Sequence, residues 1–417
     1  MNPAPESPER IPRQSWLILT LVFLVGLLNY FDRQTLSILK ATLKVEIGLT
    51  DTHYSYIVTA FMVPYIIMYI VSGRLVDRFG SRGPMVAFIT VWSIATALCG
   101  AVHNLWHLAF ARMLLGAGEP GAFPGGMRAQ VKWFPPTRRA FLMSLNSPCT
   151  AVGAILAPPI VAGLAMVWGW RSAFVVPGIV GLLLAVAWWR VDHNGPGVGE
   201  DPAKMAKEPA PPLRTILGER RFIGVLVGRL LSEPVWYFYL FWLPGYLQER
   251  IGLTLPELGA VGWIPSGVAS VVAILTARWS DKVALRTANP AAARVRALVF
   301  LSLFAPLGAL LATTSSLPLI LLLLCFVYTV AQTWFFYSAV LLADIFPNNA
   351  VAGAMGFMGA ASATTAMIVN FWIGPIIERV GYGPIFVVAA IMHPLGALVI
   401  RACFATKKPP TQTSVVV

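Results

Sequence analysis

Six ionisable residues stand inside long apolar segments of the sequence. They are Asp32, Arg33, Arg112, Glu119, Arg229 and Glu233. A charged side chain at the middle of a bilayer costs about 2.5 kcal/mol or more, so such residues bind a ligand, pair with one another or face a water-filled cavity. An arginine presents a planar fork of donors that matches a carboxylate, and a buried carboxyl group binds or releases a proton as its neighbouring charges change. The six residues therefore indicate anion binding and proton transfer.

The spacing of these residues predicts how they are arranged. Asp32 and Arg33 lie more than half-way along their apolar segment, too far from either end for their side chains to reach the membrane surface. Arg112 and Glu119 are seven residues apart, which places them on one face of a helix. Arg229 and Glu233 are four residues apart and are placed to pair with each other. A structural role and a functional role are both open for this pair.

Twelve apolar stretches must position these residues. Hydrophobic residues make up 57% of the 417-residue chain and charged residues 12%, about half the charged share of a soluble domain, which excludes a soluble globular protein. Each stretch is long enough to cross a hydrocarbon core of about 30 Å as a helix. The stretches lie at roughly residues 16–39, 51–73, 83–103, 105–130, 140–166, 170–190, 220–248, 257–279, 294–313, 317–343, 350–378 and 382–404. The predicted fold is an all-α membrane protein with twelve transmembrane helices.

The distribution of Lys and Arg predicts the orientation of these helices. Of these residues, 23 lie before the first stretch, in the even-numbered connections or after the last stretch, whereas five lie on the opposite side. Basic residues collect in the short loops on the cytoplasmic side of a membrane, so both termini are expected in the cytoplasm. The protein itself is expected in the inner membrane. The net charge of +13 then reflects topology and does not indicate nucleic-acid binding.

The chain is predicted to consist of two six-helix halves, residues 1–191 and 220–417, joined by a polar, Pro-rich cytoplasmic linker at 192–219. Phe134-Pro135 recurs as Phe346-Pro347, and Gly169-Trp170 recurs as Gly381-Tyr382, both at an offset of 212 residues. A weak repeat in consistent register is expected of a transporter built from two pseudo-symmetric halves.

Other kinds of chemistry are not expected. The four cysteines lie in apolar stretches without C-x-x-C spacing, so neither a disulfide framework nor a metal site is predicted. The sequence shows no catalytic triad and no phosphate-binding loop. We therefore expect a protein that is not an enzyme and uses no cofactor, with protons as the coupling ion.

A motif between the second and third stretches resembles the signature of the major facilitator superfamily. The segment Gly73-Arg-Leu-Val-Asp77-Arg78-Phe-Gly80-Ser-Arg82 matches the pattern G-x-x-x-D-R-x-G-x-[RK]. The resemblance implies a gate on the cytoplasmic side formed by Gly73, Asp77, Arg78, Gly80 and Arg82. Gly73 would permit close approach of helices, and Asp77 would pair with basic residues.

Within this superfamily, the whole chain is similar to the anion:cation symporter family, which includes hexuronate and sugar-acid permeases. The similarity rests on Asn29-Tyr-Phe-Asp32-Arg33-Gln34, Arg112-Met-Leu-Leu-Gly116-Ala-Gly118-Glu119, Phe123-Pro124 and Trp133-Phe-Pro135. Glu233-Pro234 with Trp236-Tyr-Phe238, and Gln332-Thr-Trp334, resemble the hexuronate branch in particular. The resemblance implies that Asp32 and Glu119 carry the coupled proton, as the same positions do in related proton symporters.

Arg33 is the residue expected to bind the substrate carboxylate, because its guanidinium stays protonated at any working pH. Asp32 and Glu119 are the candidates for the coupled proton, with Arg112 as their charged neighbour. An anion that binds Arg33 would compete for this cation and favour protonation of a carboxyl group. The alternative for Asp32, Glu119 and Arg112 is a purely structural network of arginine and carboxylates between helices.

Residues on other stretches are suited to contact the rest of the substrate. Tyr65, which the family resemblance supports best, and Gln332 can donate hydrogen bonds across a cavity. Trp334 is expected to wall the site, although packing is the commoner role of an aromatic residue in a membrane helix. For Asn370, a hydrogen bond between helices is an equally good interpretation.

These observations predict a proton-coupled symporter that takes up an organic anion, a hexuronate or related sugar acid, by alternating access. Uptake of an aromatic or dicarboxylic acid is the alternative, which the aromatic residues 335–337 favour. A transport-dead anion sensor is a further alternative. A monomer is expected, with a small organic anion, protons and the lipid bilayer as its partners.

Overall fold

The fold is described from a computed structural model of the chain, in which residues 11–135, 137–146, 148–193, 211–286 and 290–405 are described. Within these ranges the regular structure is entirely helical. Most of the predicted linker, residues 194–210, lies outside the described residues. The division of the chain at 191 and 220 stays a prediction.

The helices of residues 11–193 begin close to the positions that the apolar stretches predict. They are α1 (Arg13–Ile38), α2 (Lys40–Glu46), α3 (Asp51–Phe79), α4 (Arg82–Cys99), α5 (Leu105–Gly118), a 3₁₀ turn (Glu119–Gly121), α6 (Ala122–Trp133), α7 (Arg139–Asn146), α8 (Cys149–Trp168) and α9 (Ser172–Val191).

The remaining helices follow the same pattern. They are α10 (Leu213–Gly218), α11 (Arg220–Glu249), α12 (Leu255–Val261), α13 (Ile264–Arg286), α14 (Pro290–Ser302), a 3₁₀ segment (Ala305–Ala312), α15 (Leu317–Ile345), α16 (Asn348–Val380) and α17 (Gly383–Phe404).

In the described part of the chain, ten helical segments are long and apolar enough to cross a membrane. The predicted fourth and seventh spans are not among the ten. The fourth is interrupted by the 3₁₀ turn and carries Arg112 and Glu119, while the seventh is the 30-residue α11, which carries Arg229 and Glu233. The turn divides the fourth into helices of 14 and 12 residues, whereas the buried charges of α11 lower the hydropathy of the seventh, and both segments have the overall length to span a bilayer. All twelve predicted stretches are therefore helical, and the predicted all-α membrane fold is confirmed.

Glycines set the close packing of helices around the middle of the first half. At Gly116 of α5, an added Cβ would lie 2.0 Å from the carbonyl oxygen of Phe61 in α3. At Gly153 of α8, an added Cβ would lie 2.5 Å from the carbonyl oxygen of Leu27 in α1. Small residues allow helix backbones to approach closely in membranes, and these contacts pack α5 against α3 and α8 against α1.

The two predicted halves meet through α1 with α11, α3 with α16, and α8 with α12 and α13. We call the end of the bundle at which α1 and α11 end the outer end, because the sequence predicts that it faces away from the cytoplasm. There, Tyr54 Oη donates a hydrogen bond of 2.7 Å to the carbonyl of Phe241, and Gln248 Nε2 donates one of 2.8 Å to the carbonyl of Ile38. The outer end is therefore closed.

Candidate functional site

An ion pair inside the bundle joins Arg33 of α1 to Glu119. Arg33 Nε donates a hydrogen bond of 2.6 Å to Glu119 Oε2, and both side chains are buried. Charge-assisted hydrogen bonds of this kind are the strong ones. Arg33, the predicted carboxylate ligand, thus already holds one carboxylate supplied by the protein.

The local sequence explains why Glu119 reaches α1. Helix α5 ends at Gly118, and Glu119 begins a 3₁₀ turn in which Pro120 follows directly. Proline has no backbone N–H and breaks the α-helical hydrogen-bond ladder. Arg112 and Glu119 therefore do not belong to one regular helix, which changes the geometry that their seven-residue spacing predicts.

Asp32 and Arg112 form a second buried group beside this ion pair. Thr96 Oγ1 donates a hydrogen bond of 3.2 Å to Asp32 Oδ2, and the Arg112 guanidinium lies 4.9 Å from the ring centre of Phe61. Among the described residues, Asp32 Oδ1 and Arg112 Nε and Nη2 have no hydrogen-bond partner. Buried polar atoms without a partner are candidates for binding water or a proton. The two side chains interact electrostatically without a direct ion pair.

Aromatic rings surround the Arg33 guanidinium. Its Cζ lies 4.7 Å from the ring centre of Tyr65, 5.5 Å from that of Tyr30 and 5.7 Å from that of Phe61. Cation–π contacts within about 6 Å stabilise a guanidinium and orient it. Tyr65, a predicted substrate ligand, therefore lies against Arg33, and the roles of both residues in substrate binding stay predictions.

A cavity between the two predicted halves lies beside this group. Tyr30 and Thr150 line it from the first half, and Trp236, Gln332 and Phe335 line it from the second. Gln332 Nε2 donates a hydrogen bond of 3.2 Å to Ser270 Oγ, which also lines the cavity. Tyr30 contacts the Arg33 guanidinium and also lines the cavity, so the ion pair and the cavity share this residue, although Arg33 itself does not line the cavity.

The charges of α11 form a separate pair. Arg229 Nε lies 2.6 Å from Glu233 Oε2, with both side chains buried. Arg229 Nη1 donates hydrogen bonds of 2.8 Å to the carbonyl of Phe335 and 3.0 Å to Ser338 Oγ, and its guanidinium lies 4.0 Å from the Phe335 ring centre. The predicted pair is therefore present, and its arginine is well supplied with partners.

Two predicted substrate ligands lie elsewhere. Trp334 is fully buried, and its Nε1 donates a hydrogen bond of 2.9 Å to Ser302 Oγ. Its ring packs against α11 and α17, where an added Cβ at Gly228 would lie 2.9 Å from Trp334 Cζ3. Asn370 is also fully buried; its Oδ1 accepts a hydrogen bond of 3.0 Å from Trp242 Nε1, and its Nδ2 donates to the carbonyl of Ala366. Trp334 is thus a packing residue here, and for Asn370 the structure favours the hydrogen bond between helices.

The gate motif lies at the junction of α3 and α4. Asp77 Oδ1 lies 3.5 Å from Arg128 Nη1, with its side chain 80% exposed. Arg82 stacks on Trp189 at 3.8 Å and donates to the Trp189 carbonyl. Gly80 ends α3 with a φ of +79°, a conformation that favours glycine.

The close helix approach expected at Gly73 is absent from this structure. Within the described residues, an added Cβ at Gly73 would meet no atom within 4 Å. The gate residues therefore stay a prediction for a state that is closed at the inner end.

Several cavity residues were not among the predicted site residues, including Tyr30, Trp236 and Ser270. Two of them stood near predicted residues in the sequence: Tyr30 belongs to the same segment as Asp32 and Arg33, and Trp236 follows Glu233 by three residues. Ser270 gave no signal, since serine is common on membrane helices. Their joint position depends on helix rotation, which a single sequence does not fix.

Comparisons with known proteins agree with this architecture. The family model described as Major Facilitator Superfamily matches residues 22–339. The chain is 28% identical to the hexuronate transporter of Escherichia coli strain K12, with 94% of each chain covered. It is 30% identical to a probable galactarate/D-glucarate transporter of the same strain, with 72% of each chain covered.

The structure also resembles solved transporter structures. A bacterial homologue of the human lysosomal transporter Spinster, described as inward-facing and unoccupied, superimposes with a TM-score of 0.75 at 18% identity, with 94% of each chain covered. Identity at this level supports the fold alone. The fold and the match over most of the sequence together establish that the chain belongs to the major facilitator superfamily of membrane transporters.

Proposed function

We propose that the protein is a proton-coupled symporter that takes up an organic carboxylate, a hexuronate or related sugar acid, across the inner membrane. The observation that carries the proposal is the buried Arg33–Glu119 ion pair at 2.6 Å beside an aromatic and polar cavity. The relatives named as hexuronate and galactarate/D-glucarate transporters support the substrate class. Both termini are proposed to lie in the cytoplasm, and the functional unit is proposed to be the monomer.

Charge balance supports proton coupling. The six buried ionisable residues of the predicted site comprise three arginines and three carboxylates, so their formal charges cancel: Arg33, Arg112, Arg229, Asp32, Glu119 and Glu233. A substrate monoanion would leave this group with one excess negative charge. An uncompensated buried charge costs several kcal/mol. Binding of one proton with each substrate carboxylate avoids that cost.

The geometry supports Glu119 as the first candidate for the coupled proton. Glu119 Oε2 accepts the hydrogen bond of Arg33 Nε, while Glu119 Oε1 has no hydrogen-bond partner among the described residues. A substrate carboxylate that binds Arg33 competes with Glu119 for the same cation. Once released, Glu119 is a buried carboxylate without a partner, and a proton neutralises it. Asp32, held by Thr96 and close to Arg112, is the second candidate.

The residues around the cavity suit a hydroxylated acid once the helices separate, since the cavity of about 20 Å³ now holds about one water molecule. Gln332 and Ser270 offer hydrogen-bonding groups, and the rings of Tyr30 and Trp236 offer flat apolar surfaces. Sugar acids present hydroxyl groups on their edges and C–H groups on their faces. One carboxylate at Arg33 and several hydroxyls near Gln332 would use both kinds of surface.

An aromatic or dicarboxylic acid is the second candidate. Trp236 and Phe335 face each other with ring centres 6.1 Å apart at the cavity, which would also accept an aromatic ring. A dicarboxylate would require a second cation besides Arg33. Arg229 already pairs with Glu233, whereas Arg112 is available, because its Nε and Nη2 have no hydrogen-bond partner among the described residues.

A ligand panel tests this proposal. Thermal unfolding of the purified protein would be measured with glucuronate, galacturonate, galactonate, benzoate, phthalate and succinate, because a ligand that binds the folded state raises the melting temperature. Stabilisation by the hexuronates, together with proton influx when they are added to proteoliposomes, is the expected result. Stabilisation by benzoate or phthalate alone would replace the sugar-acid assignment with the aromatic one. Binding without counterflow would indicate a sensor.

A further inference from the structure

Four charged residues form a closed cluster at the outer end of the bundle. Lys40 Nζ lies 2.5 Å from Asp51 Oδ1 and 3.2 Å from Glu249 Oε2. Lys44 Nζ lies 3.0 Å from Asp51 Oδ2 and 3.2 Å from Glu249 Oε1. The carboxylate of Glu249 therefore lies between two ammonium groups, with one oxygen facing each.

The cluster is built into the protein and is not a chance surface contact. The Lys40 side chain is fully buried, and its Nζ lies 4.8 Å from the ring of Trp242 and 5.3 Å from that of Tyr54. It also donates a hydrogen bond of 2.9 Å to Tyr382 Oη. An added Cβ at Gly245 would lie 2.5 Å from Lys40 Cδ, so the lysine stem requires a glycine opposite. A buried lysine with this many partners is a strong functional candidate.

The members of the cluster come from different halves of the chain. Lys40, Lys44 and Asp51 stand between α1 and α3, whereas Glu249 ends α11. In the closed state the four formal charges cancel. When the halves separate at the outer end, the first-half group keeps a net charge of plus one and loses the carboxylate that neutralised it.

We propose that Lys40 and Lys44 form an outer carboxylate site, which Glu249 fills in the closed state and the carboxylate of the substrate fills when the outer end opens. The proposal rests on the proposed function, since its ligand is the transported acid. Lys44 remains charged in this role: although burial opposes its charge, its contacts with Asp51 and Glu249 raise its pKa.

The position of the cluster fits a first binding step. Lys40 follows Arg33 by seven residues and lies just beyond Ile38, where the helix that carries Arg33 ends. An anion held at the outer site would therefore stand one step away from the buried arginine. It would also prevent Glu249 from returning, so the outer end would stay open until the anion has moved inward.

A charge exchange separates capture of the anion from closure of the outer end. In the double variant Lys40→Glu with Glu249→Lys, opposite charges still meet across the halves, but the first-half group carries a net charge of minus one. Uptake would be measured from the outer face in intact cells and from the inner face in inverted membrane vesicles. We expect the KM at the outer face to rise about tenfold, with a reversed dependence on salt, and the KM at the inner face to stay within about twofold.

A milder pair of variants keeps the test independent of folding. Lys44 is 28% exposed in its side chain, so Lys44→Gln removes one charge of the site while the Lys40–Glu249 contact remains. We expect an outer-face KM about threefold higher for Lys44→Gln and a smaller rise for Lys44→Arg, which keeps the positive charge. An unchanged outer-face KM in Lys44→Gln overturns the outer site and leaves the proposed function intact. Equal rises of the KM on both faces would locate the effect at Arg33, and they likewise overturn the outer site and leave the proposed function intact. If the parent chain takes up no organic acid from either face, both proposals fail.

Discussion

Glu233 lies one helical turn after Arg229, and its Oε2 is 2.6 Å from the Arg229 Nε. This ion pair is contained within α11, so it survives any movement of that helix against its neighbours. The pair between Arg33 and Glu119 has the same length but joins two separate helical segments. The first is therefore suited to a structural role, whereas the second can respond to a ligand.

Glu233→Gln should leave proton-driven uptake in place and reduce stability. Removing one partner of a buried ion pair costs about 3–5 kcal/mol when the other stays charged, but Arg229 keeps its hydrogen bonds to Phe335 and Ser338, so we expect the lower end of this range. Thermal unfolding and uptake under a pH gradient would be measured together. Loss of accumulation with normal counterflow would instead assign Glu233 to coupling.

Glu119→Gln should spare counterflow and abolish accumulation driven by a pH gradient. The amide still fills the space beside Arg33 but cannot carry a proton. Counterflow of labelled substrate needs no net proton movement, which makes it the internal control. Accumulation that persists in the Gln variant would exclude Glu119 from the coupling role and leave Asp32 as the candidate.

Arg33→Lys should bind the substrate poorly although it keeps its positive charge. An ammonium group offers no planar fork to a carboxylate, and losing one charged hydrogen bond of about 1.5–3 kcal/mol weakens binding about 10- to 100-fold. Ligand-induced stabilisation of the purified protein measures this directly. The double variant Arg33→Ala with Glu119→Gln, which leaves no unpaired charge, should fold and show no binding. Substrate affinity within twofold of the parent in Arg33→Lys would contradict the clamp.

Gln332→Ala should change the KM, whereas Trp334→Phe should change the melting temperature. Gln332 lines the cavity, so its loss should raise the KM for a hydroxylated acid about two- to tenfold, which corresponds to one hydrogen bond, and leave the melting temperature nearly unchanged. Trp334 is fully buried and bonded to Ser302, so Trp334→Phe should lower the melting temperature and leave the KM unchanged. A raised KM in Trp334→Phe at unchanged stability would restore Trp334 as a ligand.

Gly116→Ala should disrupt the site from a distance. The added methyl group would lie 2.0 Å from the Phe61 carbonyl oxygen, so α5 must move away from α3, and overpacking of this kind costs about 1–3 kcal/mol. Because Glu119 follows α5 directly, transport should fall more than stability. Gly163→Ala is the matched control, since a Cβ there would meet no described atom within 4 Å. Equal behaviour of the two variants would contradict the predicted close packing.

The sequence predicted the spans well because the apolar stretches follow directly from bilayer thickness. Arg33 and Glu119 were also singled out from the sequence, since charges inside apolar stretches are rare enough to be conspicuous, and their roles in binding and coupling stay predictions. The sequence did not indicate the contacts of Trp334 and Asn370, because hydropathy locates a helix without fixing its rotation, and both side chains turn toward neighbouring helices of the second half.

Lys40 shows a different limit of the sequence. It stands just beyond the first apolar stretch, where a lysine normally reaches into water. Its burial depends on Glu249, Tyr382 and Gly245, which lie more than 200 residues away in the chain. Only the closed packing of the two halves reveals that this residue is internal.

The balance of three arginines against three carboxylates has a consequence for energetics. If one proton accompanies each monocarboxylate, neither the loaded nor the empty carrier moves net charge, so transport is electroneutral. A membrane potential contributes about 2.3 kcal/mol per elementary charge and 100 mV, and none of this energy would act on the cycle. The pH gradient alone would then set the limit of accumulation, at about tenfold per pH unit.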